Sequence, residues 1–327
     1  MIITRTPLRI SLGGGGTDLP SYYERSGHGY LIAAAITKYV YVSIHQNFND
    51  DILLKYSQVE RATHLDNISH PLLRECLRYT GVDKGIEISS MADIPTGTGL
   101  GSSGSFTVGV LKALRMYQHE SVSNQVLAAD ACKIEIEILG EPVGKQDQYI
   151  AACGGLSGFT FHDNGAVDVS PLKIDPNVRN RVDENLLLFY TGVRRSASDV
   201  LQEEQSGTKV SKKTVADNLD RTRDIGYQTA KVLETGDLNS FGALLTEQWK
   251  LKYERQPNEV HDHVNSWIEA GIHAGALGGK LVGAGGGGFL LFYADRKAEL
   301  RDKMSQLGLV EVPFGIDYEG SSVIVTR

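Results

Sequence analysis

Three glycine-rich runs constrain this chain more than any other feature of its sequence. They are Gly13–Gly16, the loop Gly97–Ser105 and Gly285–Gly288. Glycine makes up 36 of the 327 residues, well above the usual share of about 7%. Each run adjoins a segment with strand or helix character, and glycine permits close backbone approaches that other residues do not. The fold must therefore carry loops almost free of side chains at the ends of regular elements.

Length and composition describe a globular protein of two domains. A chain of 327 residues exceeds the size at which one hydrophobic core stops growing. With 41% hydrophobic and 22% charged residues, it lies far from the composition of disordered chains. We expect an N-terminal domain over 1–175 and a C-terminal domain over 176–327.

Charge and cysteine usage exclude several classes of partner. The formal net charge is −7 and no dense basic run occurs, which disfavours nucleic acid. Cys76, Cys132 and Cys153 lack CxxC or metal-ligand spacing, so we expect reduced packing residues. No stretch approaches the roughly 18 apolar residues of a membrane span, and the first residues lack the pattern of a signal peptide. These observations predict a cytoplasmic protein that binds neither nucleic acid nor membrane. We also expect a monomer or homodimer, although the sequence itself carries no signal of oligomeric state.

Short β-rich runs dominate the first 90 residues. Strands are predicted at 8–12, 30–36, 39–45 and 85–90 from apolar alternation and β-branched content. The first glycine run follows the first strand, and the second glycine run follows the fourth. Both runs therefore lie where a strand ends.

Two helices are predicted after the second glycine run. The first begins with Ser102 or Ser103 as the N-cap. The second spans about 123–139 and ends at Gly140, with Glu135 closer than Glu137 to its apolar stripe. That stripe consists of Leu127, Ala131, Ile134 and Ile138.

The second half of the chain changes in character. A strand is predicted at 186–190, and the segment 214–275 is mostly helical by pattern. The third glycine run joins two apolar segments. A helix over 296–307 and a terminal strand over 322–326 are expected to complete a β-α-β pattern. The fold class is thus mixed α and β.

The loop Gly97–Ser105 has the properties of a phosphate-binding loop. Several N–H groups can converge without obstructing side chains, at the positive end of a helix dipole. The loop lacks the Gly-Lys-Ser/Thr ending of a P-loop. Paired hydroxyls at Ser102 and Ser103 suit a site for phosphate and Mg²⁺.

The same loop matches G-x-G-x-x-G, which raises a dinucleotide-binding alternative. The following helix leads into another helix, whereas a βαβ unit requires a second parallel strand. No strand ends in an acidic residue at the required distance. The sequence therefore leaves a nicotinamide-dependent oxidoreductase as a less favoured alternative function.

Three motifs together resemble those of GHMP kinases. The run Pro7–Asp18 resembles the first motif of that superfamily, Pro95–Ser105 its phosphate loop, and Lys280–Gly288 its third motif. Gly13–Tyr23 and Gly144–Tyr149 look most like heptose 7-phosphate kinases and, more distantly, fucokinases. The resemblance implies an α+β fold, with an N-terminal ribosomal-protein-S5-like domain, a C-terminal ferredoxin-like domain and the nucleotide between them.

The resemblance also implies roles for individual residues. Ser103 and Glu135 match Mg²⁺ ligands, and Asp147 matches a carboxylate that takes or orients the proton of the attacking hydroxyl. Arg9 matches an arginine that lowers the pKa of that hydroxyl or stabilises the transferring phosphoryl group. The predicted ATP-binding residues are Pro95, Gly97, Gly99, Leu100, Gly101, Ser102, Ser103, Gly104, Ser105, Gly285 and Gly286. The predicted substrate-binding residues are Gly15, Gly16, Thr17, Asp18, Lys145, Gln146 and Arg194.

A sugar phosphate needs cationic donors in the cleft. Lys145, Arg194, Arg195 and Lys280 are the candidates, although each alone is more typical of a solvated surface charge. We expect transfer of the γ-phosphate of ATP to a hydroxyl of a sugar or sugar phosphate. The preferred acceptor is the anomeric hydroxyl of D-glycero-D-manno-heptose 7-phosphate, giving the 1,7-bisphosphate. Alternatives are a fucokinase-like or other GHMP small-molecule kinase, the oxidoreductase, and a non-catalytic sugar or nucleotide sensor.

Overall fold

Two β-sheets organise the protein, and a computed structural model describes residues 1–193, 212–283 and 285–326. The strands are β1 (Ile2–Gly13), β2 (His28–Gln46), β3 (Ile52–Lys55), β4 (Val59–Ala62), β5 (Ile86–Ala92), β6 (Leu156–His162), β7 (Val167–Pro171), β8 (Leu186–Tyr190), β9 (Ala276–Leu281), β10 (Phe289–Ala294), β11 (Val310–Glu311) and β12 (Ser322–Thr326). The helices are α1 (Pro20–Ser26), α2 (Pro71–Thr80), α3 (Ser102–Tyr117), α4 (Asn124–Cys132), α5 (Gln146–Cys153), α6 (Pro176–Asn185), α7 (Lys212–Thr235), α8 (Leu238–Arg255), α9 (Glu259–His273) and α10 (Lys297–Gln306). Among the residues described, no helix is both long and apolar enough to cross a membrane.

The larger sheet has eight strands in the order β12-β1-β2-β5-β3-β4, with β6 pairing β2 and β7 pairing β6. Strand β2 is long enough to pair with β6 along its first half and with β5 along its second half. The predicted strands 30–36 and 39–45 are therefore one continuous strand. On its second half Val40, Val42 and Ile44 are buried, as the alternating pattern predicted.

The smaller sheet has the order β11-β8-β10-β9, and its neighbouring strands are antiparallel. In chain order this is a 4-1-3-2 arrangement with helices in both crossovers, the ferredoxin-like pattern. The predicted strand 186–190 and the helical segment 214–275 are both confirmed. The expected mixed α+β class is confirmed as well.

The last strand departs from the prediction. We expected it to complete a β-α-β pattern in the C-terminal half, but β12 pairs antiparallel with β1 of the larger sheet. The last strand of the chain therefore lies beside the first strand. The boundary near residue 175 lies between β7 and α6 and stays a prediction.

Two helix termini differ from the predicted ones. The N-cap of α3 is Gly101 in a left-handed conformation, and no side chain caps the helix, so neither Ser102 nor Ser103 is the cap. After α4 the chain continues in a π-helical turn over Lys133–Ile138. The wider turn rotates later residues away from the expected stripe, so Glu135 is buried as predicted while Ile138 is exposed.

Candidate active site

One cleft brings the three glycine runs together. Its volume is about 1310 Å³, and both sheets contribute to its walls, for example Arg9 on β1 and Lys280 on β9. Most predicted site residues line this cleft: Arg9, Gly15, Gly16, Asp18, Pro95, Gly97, Gly99, Gly101, Ser102, Ser103, Gly104, Glu135, Gln146, Asp147, Gly285 and Gly286.

The second glycine run forms a concave backbone loop in front of α3. Gly97, Gly99 and Gly101 have φ angles of 77°, 80° and 77°. Non-glycine residues are strained in this region. Alternating left-handed residues direct successive N–H groups toward one point, and α3 adds the positive end of its dipole. This loop can hold a phosphate group.

The third glycine run packs directly against this loop. A Cβ added to Gly283 would lie 2.5 Å from the carbonyl oxygen of Gly99, and one added to Gly288 would lie 2.0 Å from that of Thr98. Neither position admits a side chain. Much of this glycine content therefore serves backbone contact between two distant parts of the chain, and Gly285, Gly286 and Gly287 line the cleft.

Arg9 and Asp147 form a bidentate ion pair beside the phosphate loop. Arg9 Nε lies 2.7 Å from Asp147 Oδ1, and Nη2 lies 2.8 Å from Oδ2. Arg9 Nη1 also donates to the carbonyl of Gly99. A Cβ on Gly104 would lie 2.8 Å from Asp147 Cβ. The carboxylate is thus fixed against the first turn of α3, where it can accept a hydrogen bond from a bound hydroxyl.

Glu135 is a buried carboxylate that faces the phosphate loop. Its Oε2 accepts from Ser103 Oγ at 2.6 Å, and its Oε1 accepts from Gln148 Nε2 at 3.0 Å. Burial raises the pKa of Glu135 to about 7, while the hydrogen bonds from Ser103 and Gln148 oppose that rise. In the described part of the chain its hydrogen-bond partners are neutral. The pair of a hydroxyl and a carboxylate fits Mg²⁺, which takes few protein oxygens and completes its shell with phosphate and water.

The first glycine run and its neighbours supply further polar groups to the cleft. Asp18 Oδ1 accepts from the amide of Gly16 at 3.1 Å, and Oδ2 accepts from the amide of Gln146 at 3.3 Å. Burial raises the pKa of Asp18 above its ordinary value, and the charge of Asp147 raises it further. Gln146 Oε1 is buried without a hydrogen-bond partner. These oxygens can accept hydrogen bonds from substrate hydroxyls.

Four predicted site residues do not line the cleft. The Thr17 hydroxyl is bonded to the backbone of residues 14 and 30. Leu100 is buried, and its carbonyl accepts from the amide of Arg9. Ser105 Oγ donates to a backbone carbonyl of β1. Lys145 Nζ donates to the carbonyl of residue 165 at 2.7 Å. Their side chains support the loops instead of facing a ligand.

The three other predicted cations have different outcomes. Arg194 and Arg195 lie outside the described residues. Lys280 lines the cleft, and its Nζ donates to Ser11 O at 2.9 Å and to Gln248 Oε1 at 3.2 Å. Lys280 is therefore a buried cation of the cleft wall and not a surface charge.

Helix α8 contributes a set of cleft residues that the sequence prediction missed. Gln248, Lys252 and Arg255 line the cleft at spacings of four and three residues. This spacing places them on one helix face. A polar stripe on a helix is typical of a solvated surface. For this reason the sequence pattern did not indicate that these residues line a cleft.

An apolar pocket adjoins the phosphate loop. The ring of His70 lies 4.7 Å from that of Tyr56 and 5.3 Å from that of Phe106. Burial lowers the pKa of His70, which favours its neutral form. Ile94 and Met91 complete this end of the cleft. A flat heteroaromatic base would fit such surroundings.

The chain matches two family models. Residues 67–155 match the model described as GHMP kinases N terminal domain, and residues 229–308 match the one described as GHMP kinases C terminal. Together the two matches cover just over half of the chain. They include the phosphate loop, the Arg9 partner Asp147, and the face of α8.

Several known proteins are similar over nearly the whole chain. A D-glycero-alpha-D-manno-heptose 7-phosphate kinase from Campylobacter jejuni is 28% identical, over 90% of this chain and 89% of that protein. A galactokinase from Pyrococcus furiosus is 24% identical, over 94% and 91%. A crystal structure of a D-glycero-D-manno-heptose 1-phosphate kinase from Bacteroides thetaiotaomicron has a TM-score of 0.81 at 23% identity, covering 100% of both chains. The last likeness establishes the fold alone.

Proposed function

Because this chain belongs to the GHMP kinase family, we propose that it transfers the γ-phosphate of ATP to the anomeric hydroxyl of D-glycero-D-manno-heptose 7-phosphate. The observation that carries the proposal is the Asp147 carboxylate, held by Arg9 against the first turn of α3. A hydroxyl hydrogen-bonded to Asp147 would lie next to a phosphate seated on the loop.

ATP is expected to occupy the cleft between the apolar pocket and the glycine loop. The base lies among Tyr56, His70 and Phe106, and the phosphates lie on the amides of Gly97–Gly104. Ser103 and Glu135 are the residues that would hold Mg²⁺, which supplies neutralisation of the phosphate charge when bound. Catalysis of this kind depends on positioning and charge neutralisation more than on covalent chemistry.

The acceptor hydroxyl is oriented by Asp147. Its oxygen forms a bond to the γ-phosphorus while the bond from that phosphorus to the ADP oxygen breaks. The hydroxyl proton passes toward Asp147, whose carboxylate the Arg9 guanidinium holds in a fixed orientation. Asp18 and Gln146 accept hydrogen bonds from other hydroxyls of the sugar. Asp147 thus acts mainly by orienting the acceptor hydroxyl. The positive charge of Arg9 balances negative charge near the reacting phosphate.

A heptose phosphate is favoured over other sugars because a relative with that printed activity is 28% identical over 90% of this chain. Lys280, one of the cations expected from the motifs, also lines the cleft.

The test is a screen for ADP release with heptose 7-phosphate, mannose, fucose, galactose and mevalonate as acceptors. We expect turnover with heptose 7-phosphate and formation of a 1,7-bisphosphate, identified by ³¹P NMR. Turnover of fucose or galactose alone would replace the proposed substrate by that sugar. Protection from thermal unfolding by NAD(P), and not by ATP with Mg²⁺, would instead favour the oxidoreductase.

A further inference from the structure

The side-chain amide of Gln248 on α8 offers a hydrogen-bond donor to the cleft. Gln248 lines the cleft, and only 6% of its surface is exposed. Its Oε1 accepts from Lys280 Nζ at 3.2 Å, whereas its Nε2 donates to no residue that the structure describes. Buried polar groups in proteins nearly always have a partner. A ligand in the cleft can therefore take this donor.

Lys280 fixes which end of the amide faces the cleft. A protonated lysine has three N–H donors and no acceptor. Lys280 Nζ has three oxygen acceptors around it, which are Gln248 Oε1, the carbonyl of Ser11 at 2.9 Å and the hydroxyl of Ser11 at 3.1 Å. Burial lowers the pKa of Lys280, and three acceptors oppose that change because they bond best to the protonated form. The amide oxygen thus faces Lys280, and the NH₂ group is left for the cleft.

The hydroxyl of Ser11 provides a second donor at the same place. Its oxygen accepts from Lys280, and its proton is donated to no residue in the described part of the chain. A Cβ on Gly15 would lie 3.4 Å from Gln248 Nε2 and 3.5 Å from Ser11 Oγ. Two donors from distant parts of the chain therefore lie beside one face of Gly15, which has no side chain to cover them.

This donor pair lies close to the carboxylate proposed to orient the attacking hydroxyl. Ser11 follows Arg9 by two residues on β1, so both side chains project to the same side of the strand, about 6 to 7 Å apart. Arg9 in turn holds Asp147. A sugar with its reacting hydroxyl at Asp147 would thus extend past Ser11 and Gln248.

We propose that Gln248 Nε2 and Ser11 Oγ both donate hydrogen bonds to one hydroxyl oxygen of the acceptor sugar, and that Lys280 is the positioning residue that orients them. The proposal rests on the proposed function, because it assigns a specificity contact of the same site. Both donors are uncharged, which suits a hydroxyl oxygen. The Asp18 carboxylate, in contrast, can accept from a neighbouring hydroxyl. A fixed order of donors and acceptors would select the configuration of those hydroxyls.

The experiment compares Gln248→Glu and Ser11→Ala with the wild type. Gln248→Glu keeps an oxygen for Lys280 and removes only the donor. We expect it to raise the KM for heptose 7-phosphate by about 10- to 100-fold, with the KM for ATP nearly unchanged. Ser11→Ala should raise the same KM by about 3- to 10-fold. The matched control is Gln228→Glu, the same change at an exposed position of α7, which should behave as the wild type.

Monodeoxy analogues of heptose 7-phosphate, each lacking one ring hydroxyl, identify the contact. One analogue should be a poorer substrate of the wild type, and Gln248→Glu should cause little further loss with that analogue, because the contact is already absent. Lys280→Met should likewise raise the KM for the complete substrate and hardly change it for that analogue. If Lys280→Met or Gln248→Glu instead weakens every analogue equally, the role is structural and the proposal is refuted.

Binding is measured by calorimetry beside turnover, so that the two proposals can fail separately. Wild-type protein that binds heptose 7-phosphate without phosphorylating it, with weaker binding in Gln248→Glu, supports the donor pair and refutes the function. Turnover with an unchanged KM in both Gln248→Glu and Ser11→Ala refutes the donor pair alone. A rise in the KM for ATP instead would place the donors at the nucleotide and overturn the proposal. Should Gln248→Glu fail to fold in a thermal scan, Ser11→Ala with the analogues decides the question.

Discussion

Replacing Glu135 by glutamine should abolish activity and yet stabilise the protein at neutral and higher pH. The glutamine keeps an acceptor for Ser103. Its new amide group can donate to Gln148 Oε1, which has no hydrogen-bond partner, once the Gln148 amide rotates. The substitution therefore removes a buried charge while preserving its hydrogen bonds.

The magnitude follows from the raised pKa. Burial raises the pKa of Glu135 from 4.5 to about 7. Between these two values the folded protein keeps a proton that the unfolded chain has released, so the free energy of unfolding falls as the pH rises through this window. At about 1.4 kcal/mol per unit, the ionised carboxylate costs roughly 3 kcal/mol above about pH 7.5 and about 1 kcal/mol near pH 5.

Urea unfolding followed by tryptophan fluorescence, without Mg²⁺ or nucleotide, measures this difference. Wild-type protein should lose roughly 2 kcal/mol of unfolding free energy between about pH 5 and pH 8 relative to Glu135→Gln. ADP release by the variant should fall by about 10² or more, since the carboxylate proposed to hold the metal is gone. The matched control is Glu137→Gln, which changes an exposed carboxylate two residues away.

Parallel pH profiles for wild type and Glu135→Gln would refute the argument, because they would mean that the carboxylate is solvated in the folded protein. A variant with full activity would remove Glu135 from the metal site.

Three further substitutions test the geometry of the cleft. Asp147→Asn should cut kcat by about 10²–10⁴ with nearly unchanged ATP affinity, and wild-type turnover would remove Asp147 from the mechanism. Gly104→Ala should lower kcat by about 10-fold or more, because its Cβ would lie 2.8 Å from Asp147 Cβ; kinetics equal to wild type would show that the carboxylate tolerates displacement. Gly288→Ala should lower the melting temperature by several degrees and weaken ATP binding, because its Cβ would lie 2.0 Å from the carbonyl of Thr98; a calorimetric scan and an ATP titration check this, and unchanged values would show that the two loops can separate freely.

Local pattern was sufficient to predict most of the regular structure. A continuous apolar run gave the strand 186–190, and helical spacing gave α3 and the segment 214–275. What failed was long-range pairing, as for β12, whose partner β1 lies at the other end of the chain. The sequence of a five-residue strand does not reveal which sheet that strand joins.

The site was predictable where motifs carry the chemistry and not where helices do. Ser103 and Asp147 lie at helix starts and Glu135 in the π-helical turn after α4, and all three were singled out by the resemblance of their motifs to those of GHMP kinases. Lys252 and Arg255 belong to an ordinary amphipathic helix, and they line the cleft only because of the face that this helix turns toward it. Packing against α7 decides which face of α8 meets the cleft, and the spacing of the residues along α8 does not indicate this packing.

The arrangement of charge joins these separate observations. On the nucleotide side, Glu135 is a buried negative charge with neutral hydrogen-bond partners in the described structure, and its raised pKa reflects that surplus. Asp147 and Arg9 form a matched ion pair beside the same loop, and the charge of Asp147 also raises the pKa of the buried Asp18. A cation bound with a triphosphate would neutralise the charge of Glu135. ATP with Mg²⁺ should therefore raise the unfolding free energy more than ATP alone does, because only the metal compensates this buried carboxylate.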